Sequence, residues 1–388
     1  MFFASRSQGP ISPDWSNENM KSLRLTLVVC LAAGVGSILG QQISNAEENT
    51  GAVFVMSNAA SNNQVLAYAR QDDGSLQWAG AFSTGGNGSG GTVDPLHSQG
   101  SLVLSADHRL LFAVNAGSGT VSSFAVSGAS LKLIDTIPSG GSSPTSIAQN
   151  GDLLYVLNAG GNGNVNGFRV LGNGHLHPIQ NSSQNLSAAA TSPTAVILSP
   201  NNRFLVVTES ATNKIDVFRV YPNGSLSAAV STPSAGSVPF APIFAPDGAL
   251  IVANASNTIS SYRLEWNQSL TVISNALPTD GMATCWDAIA AGGRAVYTDN
   301  AGTSNISGFS IGRNGVLTPI GATIVASNPS GSTNLDMAST VGGRFVYTLN
   351  AASGGIGVFS VENDGTLVNH GQVDGLPASA GLNGIAAF

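Results

Sequence analysis

The sequence predicts an all-β fold, a seven-bladed β-propeller with four antiparallel strands in each blade, and three repeated marks support this prediction. An apolar strand ends in Asn or Glu, the next strand carries an aromatic residue, and a leucine follows the next turn. Each mark occurs seven times, at intervals that range from 43 residues (Asn115 to Asn158) to 57 (Asn58 to Asn115). A repeat of this length that contains only strands is typical of one propeller blade.

The three marks can be read directly from the sequence. The strand-ending residues are Asn58, Asn115, Asn158, Glu209, Asn254, Asn300 and Asn350. The aromatic residues of the next strand are Tyr68, Phe124, Phe168, Phe218, Tyr262, Phe309 and Phe359. The leucines are Leu76, Leu131, Leu176, Leu226, Leu270, Leu317 and Leu367. We expect the aromatic residues to pack between neighbouring blades.

The fourth repeat shows the strand order most clearly. From the inside outward, the predicted strands are 195–198, 204–207, 215–220 and 226–229. The last two are joined by a turn that contains Asn223-Gly224, because both residue types accept the positive φ that tight hairpins need. The alternation of apolar and polar residues in the third strand is typical of a strand with one wetter face.

The two ends of the repeat region predict how the ring closes. The first repeat starts at Val53 with a second-type strand, and no inner strand precedes it. The last residues, 381–388, match the inner-strand pattern of 193–196, so the C-terminus should supply the inner strand of blade one. Two connections are long for hairpins, at 83–100 and 180–192.

The N-terminal part of the chain predicts secretion. Lys21 and Arg24 precede an apolar run that ends in small residues, which is typical of a secretory signal peptide. The run is too short to span a membrane well, although a signal anchor that stays attached is the alternative. The predicted organisation is an upstream extension at 1–19, a signal peptide at 20–40 that starts at Met20, a linker at 41–50 and the propeller at 51–388.

Sequons and cysteine usage agree with an extracellular location. Seven Asn-x-Ser/Thr sequons fall in predicted turns or loops, at Asn87, Asn181, Asn185, Asn223, Asn254, Asn267 and Asn305. Of the two cysteines, Cys30 lies in the predicted signal, and Cys285 therefore has no partner for an internal disulfide. The fold must then be stabilised by its apolar core.

Composition limits the possible partners. Only 9% of the residues are charged, 47 are glycine, the net charge is −7 and no basic cluster occurs. Nucleic acid and, after signal removal, membranes are thus not expected as partners. We expect a monomer that takes a small-molecule or carbohydrate ligand at the channel mouth and needs no cofactor. No group of His, Asp and Glu has the spacing of a metal site.

Three segments carry a resemblance to a known family. The runs LFAVNAGSG at 111–119, TESATNKI at 208–215 and TCWD at 284–287 resemble the seven-bladed lactonase family, which includes bacterial 6-phosphogluconolactonases and fungal carboxymuconate-lactonising enzymes. The resemblance covers 51–388 and implies the propeller fold. It also implies a histidine after proline on an inner strand, where this chain has Thr194 after Pro193. The resemblance therefore implies the fold more strongly than the reaction.

Candidate site residues are those that interrupt the small, neutral pattern at the channel mouth. Inner strands start on the face where second strands end, so residues of separate blades converge there. The candidate catalytic carboxylates are Glu209 and Asp336. The candidate substrate-binding residues are Trp286, Asp299, Lys214, Asp287 and His97.

Each candidate has a structural alternative. Glu209 could pair with Lys214, Asp287 and Asp336 could bond to strand backbone, and Trp286 could pack between blades instead of stacking on a ligand. Cys285 fits a small buried residue better than a nucleophile, since no histidine is placed beside it. A calcium ion held by carboxylates and carbonyls in the channel is a further alternative.

Two classes of function remain open. One is a secreted enzyme that hydrolyses or forms a lactone of a small carboxylated substrate. The other is a non-catalytic extracellular glycoprotein that binds carbohydrate, a cell-wall component or protein through the propeller face. The fold alone cannot decide between them.

Overall fold

A computed structural model describes residues 51–388, which form seven antiparallel sheets arranged as the blades of a ring. The predicted seven-bladed propeller is thereby confirmed. The predicted extension, signal peptide and linker lie outside the described residues. Within 51–388, the search for a helix with the length and apolarity of a membrane span finds none.

The strands of the first four blades follow the chain order, with each blade built from the inside outward. Blade one contains β1 (Gly51–Met56), β2 (Gln64–Arg70) and β3 (Leu76–Ser83), and blade two contains β4 (Leu102–Leu104), β5 (Leu110–Asn115), β6 (Thr120–Ser127) and β7 (Ser130–Pro138). Blade three contains β8 (Pro144–Asn150), β9 (Leu153–Asn158), β10 (Asn164–Val170), β11 (Leu176–Pro178) and β12 (Gln184–Asn185). Blade four contains β13 (Pro193–Leu198), β14 (Phe204–Glu209), β15 (Lys214–Arg219) and β16 (Val230–Pro233).

The last three blades repeat the same plan. Blade five contains β17 (Pro239–Phe244), β18 (Leu250–Asn254), β19 (Thr258–Leu264) and β20 (Leu270–Pro278). Blade six contains β21 (Thr284–Ala290), β22 (Ala295–Asn300), β23 (Asn305–Ile311) and β24 (Leu317–Ser327). Blade seven contains β25 (Asn334–Ser339), β26 (Phe345–Asn350), β27 (Gly355–Val361) and β28 (Leu367–Asp374), and β29 (Ile385–Ala387) ends the chain. Short 3-10 turns occur at Ala291–Gly293, Arg313–Gly315 and Val341–Gly343.

The C-terminal strand closes the ring, as the sequence predicts. β29 pairs with β1 in antiparallel register, with Ala386 opposite Phe54. Beyond the strand, the Phe388 amide donates to the Ala52 carbonyl at 3.0 Å, and Arg70 Nε donates to the Phe388 carbonyl at 3.0 Å. Blade one therefore combines the two ends of the propeller domain, which leaves no unpaired inner edge.

Aromatic residues and hairpin glycines hold the blades together. All seven predicted aromatic residues are buried, which confirms their packing role. In addition, second-strand tyrosines donate to hairpin glycine carbonyls of the next blade: Tyr155 to Gly224 at 2.7 Å and Tyr347 to Gly74 at 2.9 Å. Gly74 has φ +86°, and a Cβ there would lie 2.4 Å from the Phe345 ring. Only glycine fits both restrictions.

The outer strand of blade four differs from the prediction. The strand expected at 226–229 begins only at Val230, and Leu226 forms a single bridge to Val220. Side chains instead form hydrogen bonds with the backbone groups of β15. Ser227 Oγ accepts from the Arg219 amide at 2.9 Å, and Gln268 Nε2 donates to the Val217 carbonyl at 2.8 Å. Because these bonds occupy backbone groups of β15, a regular outer strand at 226–229 would lack hydrogen-bond partners there.

Candidate functional site

The channel mouth is covered by the long connection between blades one and two. We call residues 84–101 the plug loop, and the face where inner strands begin the top face. The loop is anchored to three blades by hydrogen bonds to inner-strand residues and their neighbours. These bonds are Gly381 N to Thr92 O (2.7 Å), Leu96 N to Asn383 Oδ1 (3.1 Å), Ser98 Oγ to Thr145 O (2.8 Å) and Gln99 N to Thr194 O (3.2 Å).

The plug loop also reaches blade six on the other side of the channel. The Gln99 side chain bonds to both backbone groups of Asp287, because its Nε2 donates to the carbonyl at 2.8 Å and its Oε1 accepts from the amide at 3.0 Å. Trp286 Nε1 donates to the Ser98 carbonyl at 2.9 Å. The loop therefore spans the channel and closes it at the top face.

Trp286 is part of the core and not a surface platform. Its side chain is 1% exposed and meets the Phe240 ring edge to face, with centroids 5.1 Å apart. The structure therefore favours packing over stacking on a soluble ligand. Cys285 beside it is also buried, and burial raises the pKa of its thiol above the ordinary value.

Glu209 makes structural hydrogen bonds in a buried position. Its carboxylate accepts from the Ser187 amide at 3.0 Å, from Ser187 Oγ at 2.6 Å and from Thr212 Oγ1 at 2.5 Å. Within residues 51–388, it forms no ion pair with Lys214, so that alternative is wrong. Glu209 instead fastens blade four to the connection that follows blade three.

The strand-ending asparagines of other blades also form hydrogen bonds to the preceding blade. Asn158 Oδ1 accepts from Ser139 Oγ at 2.6 Å, and Asn115 Oδ1 accepts from Thr84 Oγ1 at 2.6 Å. In both cases the hydroxyl follows the outer strand of the preceding blade. These asparagines therefore link neighbouring blades.

Asp216, which the sequence did not single out, lies beside Glu209 in blade four. Its side chain is fully buried, and Oδ1 accepts from Ser231 Oγ at 2.5 Å. Burial, together with the neighbouring Glu209 carboxyl, raises the pKa of Asp216 to about 7 against the lowering effect of the Ser231 hydrogen bond. The sequence feature that could have identified Asp216 is its position between the apolar strand residues Ile215 and Val217.

Three further candidate carboxyls are enclosed below the plug loop. Asp336 accepts from the Met337 and Ile385 amides at 2.9 and 3.1 Å, which confirms its expected bonding to backbone. Asp299 Oδ1 accepts from an asparagine amide at 2.5 Å, whereas neither carboxyl oxygen of Asp287 has a hydrogen-bond partner among the described residues. All three side chains are buried.

Burial favours the neutral form of these three acids. Desolvation raises the pKa of Asp336 to about 7 and raises the pKa values of Asp287 and Asp299 well above the ordinary range. These carboxyls are buried, and so they are not placed to take a proton from a substrate in solution. In 51–388, no three His, Cys, Asp or Glu side chains come together as a metal site.

His97 is the candidate that remains accessible. It lies on the plug loop with 49% of its side chain exposed, and its ring meets Phe240 edge to face at 4.9 Å. Its Nδ1 lies 3.6 Å from Asp94 Oδ2, and its Nε2 lies 3.5 Å from Ser210 Oγ. Ser210 Oγ also donates to the Ser192 carbonyl at 2.8 Å. The arrangement is an acid, an imidazole and a hydroxyl in a row.

Two of these three residues were missed from the sequence. Asp94 precedes His97 by three residues, and Ser210 directly follows Glu209 in the turn after β14. Burial raises the pKa of Asp94, although the nearby His97 and Asn383 side chains act in the opposite direction. Proximity of Asp94 to a histidine was a readable signal, but contact with Ser210 depends on how the plug loop folds.

The predicted glycosylation sites differ in accessibility. Asn87, Asn181, Asn185, Asn223 and Asn267 are exposed, whereas Asn305 is half-buried at the start of β23. Asn254 ends β18 and is fully buried, and its Nδ2 donates to Ser260 Oγ at 3.2 Å. The prediction that all seven sequons lie in turns or loops is therefore wrong for Asn254, and also for Asn185 and Asn305, which begin or end short strands.

Comparison with known proteins gives the same fold. Residues 148–269 match the family model described as "Lactonase, 7-bladed beta-propeller", and no curated protein sequence matches the chain. A putative 6-phosphogluconolactonase from Bacteroides fragilis is 18% identical, with 88% of this chain and 99% of that chain covered and a TM-score of 0.66. The Pseudomonas aeruginosa periplasmic gluconolactonase PpgL is 21% identical, with coverages of 86% and 99% and a TM-score of 0.66.

A third solved structure shows how widely the fold is shared. A hypothetical selenium-binding protein from Sulfolobus tokodaii is 11% identical, covers 87% of this chain and 93% of its own, and has a TM-score of 0.63. At these identities the structural likeness establishes the fold and not the activity. Residues 148–269 therefore resemble the lactonase family model, and residues 51–388 share the seven-bladed fold of these solved structures.

Proposed function

We propose that the chain hydrolyses a lactone of a small carboxylated substrate at the top face, with His97 as the general base. The observation that carries this proposal is the row formed by Asp94, His97 and Ser210. It is the place among the candidate residues where an exposed imidazole, a carboxyl and a hydroxyl come together at the top face. The match of residues 148–269 to the lactonase family model supports the same reaction class.

The proposed reaction is a simple ester hydrolysis. Asp94 accepts from Nδ1 of His97, which leaves Nε2 free to take a proton from a water molecule. The water oxygen attacks the lactone carbonyl carbon, the ring carbon–oxygen bond breaks, and the ring oxygen takes the proton back from Nε2. The product is a hydroxy acid, and His97 returns to its starting state. Ser210 Oγ, whose hydrogen is donated to the Ser192 carbonyl, can accept a hydrogen bond from the attacking water.

A cation is also needed, for the substrate carboxylate or the oxyanion that forms during attack. Lys214 lies four residues after Ser210 and is half-buried at the start of β15. We assign it to the substrate carboxylate. Lys132, which is exposed on β7 of blade two, provides a matched control.

The test is a panel of five- and six-membered lactones, each with and without a carboxylate, and ring opening is followed by proton release. We expect Lys214→Ala to raise KM about tenfold, equivalent to about 1.4 kcal/mol, for carboxylated lactones only. Lys132→Ala should change nothing. If no lactone in the panel is opened, the hydrolase proposal fails.

The second candidate, a non-catalytic binding propeller, is favoured by the plug loop. It closes the channel and leaves the top face as a broad surface on which carbohydrate or protein could bind. Glycan-array or pull-down binding without lactone turnover would support this second function.

Secretion and glycosylation remain part of the proposal, based on the signal-like segment and the exposed sequons. We expect secreted protein to begin near Gln41 and to carry glycans on exposed sequons such as Asn223 and Asn267. Asn254 should be unmodified, because a glycan there cannot coexist with its buried hydrogen bonds. Glycopeptide mass spectrometry of secreted protein checks this. A glycan on Asn254 in folded protein, or retention of the unprocessed chain in cells, would contradict it.

A further inference from the structure

The channel is closed at the top face but open at the opposite end. A cavity of about 420 Å³ lies there, between the inner strands of blades two to five. Its lining includes Val103, Ile147, Ile197, Ile243 and Phe244. This volume is within the range of sites that hold small molecules in proteins.

The closed end of the cavity is held in place by hydrogen bonds. It is formed by Gln99 and Gly100 of the plug loop. Gln99 is held by its two hydrogen bonds to the Asp287 backbone, at 2.8 and 3.0 Å, and its own carbonyl accepts from Ser146 Oγ at 2.6 Å. A ligand that enters from the open end therefore meets a fixed wall instead of passing through the propeller.

The lining is mainly apolar and contains no charged side chain. Val103, Ile197 and Ile243 stay only half-buried although they are aliphatic, because their side chains border the cavity. Among the residues that line it, none is Asp, Glu, Lys, Arg or His. By contrast, a cavity of about 640 Å³ on the same molecule is lined by Asp247 and Arg263. Burying a charged ligand group against the uncharged lining would be unfavourable.

One polar atom in the lining lacks a partner. Gln149 Nε2 donates to the Gly151 carbonyl at 2.8 Å, but its buried Oε1 has no hydrogen-bond partner among the described residues. A buried acceptor without a donor is costly, so a ligand that donates one hydrogen bond would be favoured there. The amide of the neighbouring Asn150 is already used, since it donates to the Pro200 carbonyl at 3.2 Å.

We propose that this cavity is a binding site for an uncharged, mainly apolar small molecule with one hydroxyl donor, such as a phenol or a medium-chain alcohol. The apolar walls of Ile197 and Ile243 contact the body of the ligand, and Gln149 Oε1 accepts from its hydroxyl. This site is separate from the proposed hydrolytic site at the top face and does not depend on it.

The test uses three fluorescent probes of nearly equal size on the full chain: 2-naphthol, naphthalene and 2-naphthoate. We expect saturable binding of one 2-naphthol per chain, weaker binding of naphthalene, and binding of 2-naphthoate at least about tenfold weaker than that of 2-naphthol. Gln149→Leu should lower the affinity for 2-naphthol to the affinity for naphthalene. This comparison of probes needs no substitution in the cavity wall, so it holds even if a wall variant fails to fold.

Two variants locate the binding. Ile197→Trp and Ile243→Trp fill the cavity and should abolish 2-naphthol binding, whereas Val230→Trp, at an exposed outer-strand position, should not. Lactone turnover in folded wall variants should stay unchanged, which separates this proposal from the proposed function. Equal binding of 2-naphthoate, no saturable binding of any probe, or full 2-naphthol binding in both folded wall variants would overturn the proposal.

Discussion

Glu209 and Asp216 occupy positions that other blades give to an amide and a hydroxyl. In blade two, Asn115 Nδ2 donates to Ser122 Oγ at 2.8 Å, which is a complementary donor and acceptor. Two ionised carboxylates at these positions would repel each other inside the protein. Burial and the neighbouring Glu209 carboxyl therefore raise the pKa of Asp216 to about 7, which favours one proton on this pair.

This pair predicts a pH-dependent stability. Because the native-state pKa of Asp216 lies above the ordinary value of 3.8, the native protein holds more protons than the unfolded chain between about pH 4 and pH 7. Stability from this group is therefore present at low pH and is lost as the pH rises through about 7. The raised pKa values of Asp336, Asp287 and Asp299 act in the same direction.

Asp216→Asn should flatten this dependence. Each pKa unit corresponds to about 1.4 kcal/mol, so we expect the difference in unfolding free energy between pH 5 and pH 8 to shrink by on the order of a few kcal/mol. Urea unfolding at the two pH values measures it, with the exposed Asp247→Asn as control. An unchanged pH difference in Asp216→Asn would contradict the assignment.

At the residue scale, the positions of unusual residues could be predicted from the sequence, but their roles could not. Glu209 stood out because six other repeats have asparagine. Its role depends on Ser187, a loop residue 22 positions earlier, whose contact no repeat pattern predicts. Trp286 stood out in the same way, and its burial follows from the plug loop above it.

Among the structural elements, the plug loop decides what is accessible. Its length was evident from the sequence, and His97 was recognised within it. Its path across the channel was not, because it depends on hydrogen bonds from Gln99 and Trp286 to partners 188 residues apart in sequence. The sequence predicts an open channel mouth, but the plug loop closes it. This closure depends on contacts between distant residues, which local sequence patterns do not predict.

Trp286→Phe tests how the plug loop is anchored. The substitution keeps an aromatic ring but removes the indole donor to the Ser98 carbonyl, which should cost about 1 kcal/mol. We expect faster hydrogen exchange at residues 92–100, with smaller changes in the other blades. Trp78→Phe is the matched control, since Trp78 is 56% exposed on β3. Equal exchange in parent and Trp286→Phe would show that this bond does not hold the loop.

Over the whole molecule, the repeats predicted the architecture well. Seven marks, a first repeat without an inner strand and a matching C-terminal segment were sufficient for the closed ring, because closure depends on strand count and not on side-chain detail. The irregular outer strand of blade four was not predictable, since its bonds to Gln268 come from the next blade.

Deletion of 381–388 tests the closure. It removes β29 and the hydrogen bonds that Arg70 and Ala52 form with Phe388, so blade one loses its inner strand. We expect insolubility or loss of a single cooperative unfolding transition. A C-terminal extension of eight residues serves as control. A truncated chain that unfolds at the midpoint of the full domain would show that β29 is dispensable.

The most direct test of the account compares two aspartate–histidine pairs on the same molecule. His175 Nδ1 lies 3.2 Å from Asp135 Oδ2, and its side chain is 49% exposed, as is that of His97. His175 belongs to a hairpin of blade three and is not a plug-loop residue. The measurement is kcat/KM for His97→Gln and His175→Gln on the best lactone of the panel. We expect a loss of about a hundredfold or more for His97→Gln and the parent value for His175→Gln. Equal values in the two variants would contradict the assignment of His97 as the base.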